Sequence, residues 1–217
     1  MRNTIIFDLD GTLLNTLTDL ANATNYALRT HHLPERTEQE VRSFLGRGYR
    51  FLLTHSAPEG TSEETIDQLL ATFQPYYEAH CLDATAPYDG ILPLLAELKK
   101  RGVKMAIVSN KGDAAVKTLA KQLFGGLIEI AVGESANVRR KPAPDTVLAA
   151  MKKLGSTKEE CVYVGDSEVD FKTACNAEIP CISCLWGFRD EDFLREQGAN
   201  IFVRKPEEVL AVFGGLQ

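Results

Sequence analysis

Residues Thr4–Leu14, TIIFDLDGTLL, constrain this chain more than any other stretch. Thr4-Ile5-Ile6-Phe7 is β-branched and apolar, which predicts a short buried strand. The run stops at Asp8 and Asp10, one residue apart, and Gly11 follows, a residue that permits turns most others cannot make. One strand end therefore delivers two carboxylates and several backbone N–H groups to one place. In open parallel sheets, ligands bind outside the carboxyl ends of the strands. Carboxylates this close repel unless a cation or a shared proton lies between them. Hard oxygen donors suit Mg2+. An EF-hand loop also opens D-x-D. Here Thr12 and Leu13 stand where that loop needs a ligand and a glycine, and Asp19 stands where it needs Glu, so that reading is set aside.

Two rhythms follow. From 15 to 83 the apolar residues recur only at helical spacing. Leu17, Leu20, Ala21, Thr24, Ala27 and Leu28 share one face, up to Pro34. Glu38–His55 is broken at Gly46-Arg47-Gly48. Thr61 or Ser62 caps a third helix carrying Ile66, Leu69, Leu70, Phe73 and Tyr77, with Pro75 expected to distort its end. Residues 15–83 thus read as a small all-helical insert, and 1–14 with 84–217 as one α/β core domain.

In the core, strands are predicted at Val103–Val108, Leu127–Val132, Cys161–Val164 and Pro180–Cys184, with an edge strand at Asn200–Val203. Helices are predicted through Ile91–Leu98, from an Asp113 cap through Leu123, at Asp145–Leu154, Val169–Ala177 and Pro206–Phe213. Alternating strands and helices imply right-handed crossovers and a parallel sheet covered on both faces. The first strand would end at Asp8-x-Asp10, the next at Ser109-Asn110, and a later one at Gly165-Asp166.

Net charge excludes one class of partner. At −6 the chain has no basic footprint for nucleic acid, so a small anionic substrate would need locally placed cations. No run approaches the ~18 apolar residues of a membrane span. The first residues enter the fold without a signal peptide's apolar region, so the cytoplasm is the expected compartment. The five cysteines include Cys181-x-x-Cys184, which lacks a second pair and sits in a strand-like stretch; buried reduced thiols are expected rather than zinc. The sequence does not set the oligomeric state.

Three further groups carry chemistry: Ser109-Asn110, Lys141 in RRKPAPD, and Gly165-Asp166-Ser167 with Asp170. Singly, each has a plain explanation as a turn, a cap or a solvated loop. Taken in order, DLDGTLLNT, VSNK, KPAPD and VGDSEVD form a set that resembles the four motifs of the haloacid dehalogenase-like superfamily. The set is most similar to the branch of phosphoglycolate phosphatase and β-phosphoglucomutase. Asn15 stands where many relatives carry Asp. Cys175-Asn176-Ala177-Glu178 departs from a usually glycine-containing segment, and is read as a packing change.

The resemblance implies a Rossmann-like core with a helical cap inserted after the first strand, closing over the site to exclude water. It implies Mg2+-dependent hydrolysis of a small phosphorylated metabolite through an aspartyl-phosphate. Asp8 would be the nucleophile and Asp10 the proton donor and acceptor. The metal would be held by Asp8, the backbone carbonyl of Asp10, and Asp166. Ser109, Asn110 and backbone N–H groups from Gly11 onward would bind the phosphoryl group. Lys141 would supply positive charge, and Asp170 would hold Lys141 or a metal-bound water. Arg47 and Arg50, flanking Gly48, read either as a solvated surface or as a fork for a substrate carboxylate. A phosphate mutase would use the same residues while protecting its phosphoenzyme from water. A dehalogenase would need neither Asp10 nor Asp166, and a non-catalytic binding protein would have no reason to keep Asp8, Asp10, Lys141 and Asp166 together.

Overall fold

In the computed structural model, which describes residues 2–136 and 138–216, Thr4–Phe7 forms strand β1 with all four residues buried. The chain divides into two compact units, Met1–Leu14 with Pro87–Gln217, and Asn15–Ala86. A two-residue strand β2 (Leu14–Asn15) follows β1.

The second unit holds four helices: α1 (Leu17–Thr30), α2 (Glu38–Phe44), α3 (Tyr49–Ser56) and α4 (Glu63–His80). Local chemistry sets their ends. Asn15 Oδ1 accepts the Leu17 N–H at the start of α1. Thr37 and Glu40 form a reciprocal capping box on α2. Gly46 and Gly48 both take left-handed φ, +101° and +86°, which separates α2 from α3. Ser62, rather than Thr61, caps α4 by accepting the Thr65 N–H. Pro75 does not end α4. The lost backbone bond costs about 3 kcal/mol, and burying Phe73 and Tyr77, stacked with ring centroids 5.6 Å apart, returns about 1.5–3 kcal/mol each. Buried Asp19 accepts the N–H groups of Ala84 and Thr85, which holds that segment beside α1.

The core unit continues after β3 (Ala86–Pro87), which pairs with β2 where the chain passes between units. Its elements run α5 (Ile91–Lys100), β4 (Lys104–Gly112), α6 (Asp113–Phe124), β5 (Ile130–Glu134) and α7 (Asp145–Leu154). Then come β6 (Cys161–Gly165), α8 (Glu168–Asn176), β7 (Cys181–Cys184), α9 (Glu191–Glu196), β8 (Phe202–Val203) and α10 (Glu208–Gly215). The six-stranded sheet has the order β5-β4-β1-β6-β7-β8 and its pairings are parallel. Phe7 lies level with Ile107 of β4 on one side and Val164 of β6 on the other. The ends of β1, β4 and β6 therefore meet where the chain changes its winding direction, the place where such sheets bind ligands. Ile6, Ala106, Val108 and Tyr163 pack under Val147, Ala150 and Met151 of α7. Central strands buried on both faces explain the unbroken apolar runs in the sequence.

Four details differ from expectation. β4 does not end at Ser109-Asn110 but runs through them to Gly112, with its register against β5 shifting between Val108 and Gly112. Asp113 does not cap α6; its carboxylate accepts the Gly133 N–H from β5 at 3.0 Å. α9 was not legible because only Leu194 of its six residues is buried, which leaves no periodicity. Glu178 sits at φ +59°, so the departure in that segment is one of backbone conformation, a left-handed position that glycine occupies without strain. All five cysteines are free thiols, and Cys175 is exposed while the other four are buried. Among the described residues no helix is long and apolar enough to cross a membrane.

Candidate active site

The Asp8 N–H donates to Val164 O at 2.9 Å, so the chain keeps its place in the sheet to the first aspartate and turns only afterwards. The turn needs Gly11 twice over. Its φ is +86°, and a Cβ there would lie 2.4 Å from Asp166 Oδ2. The N–H of Gly11 is not presented to a ligand: it donates to Leu14 O at 2.9 Å, which closes the turn. Among the described residues the N–H groups of Leu9 and Asp10 meet no acceptor.

Lys141 sits at the centre of the buried polar network. Its ammonium donates to Asp8 Oδ1 and Asp170 Oδ1, both at 2.6 Å, and to Tyr163 Oη at 3.1 Å. Those contacts account for the three donors an ammonium has. The Tyr163 hydroxyl donates in turn to Asp170 Oδ1 at 2.8 Å. Asp170 Oδ2 accepts from the Ser167 N–H and hydroxyl, at 3.1 and 2.5 Å. Asp170 thus takes four donors and is saturated. Asn110 does not point its amide at an open site. Its Oδ1 accepts the Lys141 N–H at 2.7 Å and its Nδ2 donates to Lys141 O at 3.1 Å, a two-point hold on the loop that carries the lysine.

Asp166 is 1% exposed and held from two sides. Thr12 Oγ1 donates to Oδ1 at 3.0 Å and the Phe188 N–H to Oδ2 at 2.8 Å. Gly187 presses against it so closely that a Cβ would lie 2.3 Å from the Asp166 Cβ. Oxygen atoms of Asp8, Asp166 and Asp170 lie within 4.8 Å of one another. Burial first, then the charge of Asp170, pushes the Asp166 carboxyl up to about 7. Burial and the Asp170 charge raise Asp8 as well, against the pull of Lys141. Burial works the same way on Asp170, but the charge of Lys141 and hydrogen bonds from Lys141, Ser167 and Tyr163 outweigh it and hold that carboxyl low. Lys141 is pushed the other way: burial opposes its charge, yet Asp170 and Asp8 raise it above the ordinary lysine value.

Three carboxylates around one ammonium leave an excess of negative charge in a buried, oxygen-only donor set. That is the chemistry of a site for a hard divalent cation. Asp170 has no lone pair to spare, whereas Asp8 Oδ2 takes no hydrogen bond from a described residue and Asp166 accepts only one bond at each oxygen. The residues present therefore fit a cation held by Asp8 and Asp166.

Asp10 is turned elsewhere. Its Oδ1 accepts from Lys111 Nζ at 2.7 Å, and Ser109 Oγ lies 3.5 Å from its Oδ2. The two residues expected from the helical unit are described within that unit. The Arg47 guanidinium lies 5.0 Å from the Phe51 ring centre. Arg50 pairs with Glu63 at 3.0 Å and with Asp67. Sequence reasoning missed Lys111, Thr12, Tyr163 and Phe188. Lys111 had a signal, since it directly follows Ser109-Asn110; it becomes meaningful only once the strand is seen to run on past it.

A family model described as Haloacid dehalogenase-like hydrolase matches residues 5–184. A phosphoglycolate phosphatase of Xanthomonas campestris pv. campestris is 31% identical over 208 residues, covering 94% of this chain and 93% of that protein. An N-acetylmuramic acid 6-phosphate phosphatase of Pseudomonas aeruginosa is 29% identical over 210 residues, 96% of this chain and 93% of its own. A solved structure from Lactobacillus delbrueckii subsp. bulgaricus superposes with a TM-score of 0.91 at 37% identity, covering 96% of this chain and 97% of that one.

Proposed function

The chain belongs to the haloacid dehalogenase-like hydrolases, and on that footing we propose that it hydrolyses a small phosphate monoester through a phosphorylated Asp8, in the manner of a phosphoglycolate phosphatase. The observation that carries this reading is the Asp8–Lys141–Asp170 chain, which fixes one carboxylate at the end of β1 in a buried, polar, cation-seeking site. Asp8 and Asp166, with the backbone carbonyl of Asp10, would hold Mg2+. When bound, Mg2+ neutralises phosphoryl oxygens and offsets the charge of the nucleophile.

The residues divide the work. The Asp8 carboxylate attacks phosphorus, the ester P–O bond breaks, and the leaving oxygen takes a proton from Asp10. Water then attacks the acyl phosphate and gives its proton to Asp10. The bond between phosphorus and Asp8 breaks, and inorganic phosphate leaves. The N–H groups of Leu9 and Asp10 and the hydroxyl of Ser109 are the donors suited to the phosphoryl oxygens, while Asn110 acts through its hold on Lys141. Asp170 keeps Lys141 on Asp8 and takes no part in binding metal.

The test is phosphate release from a panel of small phosphorylated acids and sugars, ranked by kcat/KM with and without Mg2+, with isomer formation followed in parallel. The expected result is Mg2+-dependent release without isomerisation. Asp166→Ala should lower turnover by about 100-fold or more, as expected when a metal ligand is lost, and should abolish the rise in Tm that Mg2+ gives the parent. No release from any monoester, or a variant near wild-type at low Mg2+, would sink the reading.

Substrate choice is proposed to lie in the helical unit. Arg50 pairs with Glu63 and Asp67, and Arg47, three residues earlier, is the guanidinium proposed to read a substrate anion. Arg47→Ala should raise KM for the best acid-bearing substrate and leave p-nitrophenyl phosphate turnover nearly unchanged. Equal effects on both substrates would return Arg47 to an ordinary surface role.

A further inference from the structure

Each carboxylate of the Asp8-x-Asp10 pair has its own buried lysine. Lys141 serves Asp8. Lys111 serves Asp10, with its ammonium 2.7 Å from Oδ1 and its side chain only 1% exposed. Burying an ammonium is costly unless it is paired, so a lysine kept here for packing alone would be better replaced by methionine. The two partners also differ in exposure and in the backbone that carries them. Lys111 lies on β4, within the stretch where its register against β5 shifts, and its own N–H donates to Ser109 Oγ at 3.1 Å. Asp10 lies on the turn after β1, 19% exposed, and its remaining contact is a long one to Ser109. A carboxylate on a turn has several rotamers; a fixed cation selects one of them.

We propose that Lys111 is a positioning residue for the acid–base step: it holds Oδ1 of Asp10 so that Oδ2 is the oxygen that exchanges the proton. The inference rests on the phosphatase reading and adds to it. A displacement of about 1 Å at a reacting group costs about 100-fold, so losing this hold should matter wherever proton transfer limits the rate. It should not matter for forming the phosphoenzyme where the leaving group needs no proton.

The full-length enzyme with Mg2+ is assayed in single turnover on a neutral alkyl phosphate, an acid-bearing alkyl phosphate and p-nitrophenyl phosphate. Lys111→Met is expected to slow both alkyl substrates by about 10–100-fold in rate, with KM changed less than threefold. The nitrophenol burst should change less than about threefold. Lys111→Arg should recover part of the alkyl rate, since a cation remains. In an Asp10→Asn background, Lys111→Met should add less than about threefold, because residues acting as a unit are not additive.

An equal loss on all three substrates, or an additive loss in the double variant, would make Lys111 a scaffold residue and overturn the proposal. A loss confined to KM for the acid-bearing substrate would make it a substrate contact and overturn the proposal equally. The phosphatase reading fails separately: in that case the wild type itself forms no phosphate adduct on Asp8 with any of the three.

Discussion

Asp8→Asn should form no phosphoenzyme with any substrate, whereas Asp10→Asn should form one and fail to release it. The amide of Asp8→Asn is no nucleophile, so the first bond to phosphorus cannot form, and turnover falls to background. Asp10→Asn keeps the nucleophile, and its own partner contacts lie on Lys111 and Ser109 rather than on the Asp8 cluster. What it loses is proton transfer, worth about 10²–10⁴-fold. An alkyl leaving oxygen is a strong base and needs the acid, so alkyl phosphates should be turned over hardly at all. p-Nitrophenol leaves without help, so this substrate should give a burst of about one product per site followed by slow release, since water attack still lacks its base. Rapid mixing with acid quench, and mass spectrometry of the peptide holding Asp8, measures both. A burst in Asp8→Asn, or phosphate on Asp10 in the wild type, would exchange the two roles.

Lys141→Met should be costly to fold and activity together. The ammonium is 3% exposed and bridges Asp8 and Asp170, which are 8% and 1% exposed at their side chains. Removing one partner of a buried ionic network typically costs about 3–5 kcal/mol, because the remaining charges stay buried. The sign with pH follows from the shifts. Asp170 is held low, so its contribution is present above the ordinary carboxylate range and is lost as pH falls through its folded value. Lys141 is held high, so its contribution is present below the ordinary lysine value near 10.5 and is lost as pH rises beyond it. The difference in stability between wild type and Lys141→Met should therefore be largest between the ordinary carboxylate and lysine ranges and shrink as pH falls, because protonation neutralises the carboxylates left behind. Urea melts across that range measure it. Lys141→Arg should not restore activity, because a planar fork cannot reach Asp8, Asp170 and Tyr163 as a single ammonium does. A flat pH dependence would mean that the network holds no differential charge.

Much of the fold was legible because its signals are local. The apolar run of β1, the helix Asp145–Leu154 and the edge strand β8 follow from periodicity and from residues that start or stop a chain segment. So does the helical character of residues 17–80, since no stretch there alternates as a strand does. Where signals are non-local, sequence reasoning slipped. Nothing near Ser109 says that β4 continues, because the pairing that extends it comes from Glu134 of β5. Nothing near Asn110 says that its amide is taken by the backbone of Lys141, 31 residues on.

The sequence by itself determined which chemical groups this protein owns and roughly where each stands: two aspartates after a first strand, a lysine in a proline-rich loop, an Asp after a later strand. Tertiary structure alone decided their division of labour. Asp170 is committed to the lysine because Lys141, Tyr163 and Ser167 fill its oxygens. Gly11 is required because Asp166, far along the chain, occupies the space of its side chain. Lys111 joins the site because β4 lies beside β1 and carries it to Asp10. The physical reason is the same each time: a residue type sets which bonds a side chain can make, but only packing sets which partner arrives first and which lone pair is left for a ligand.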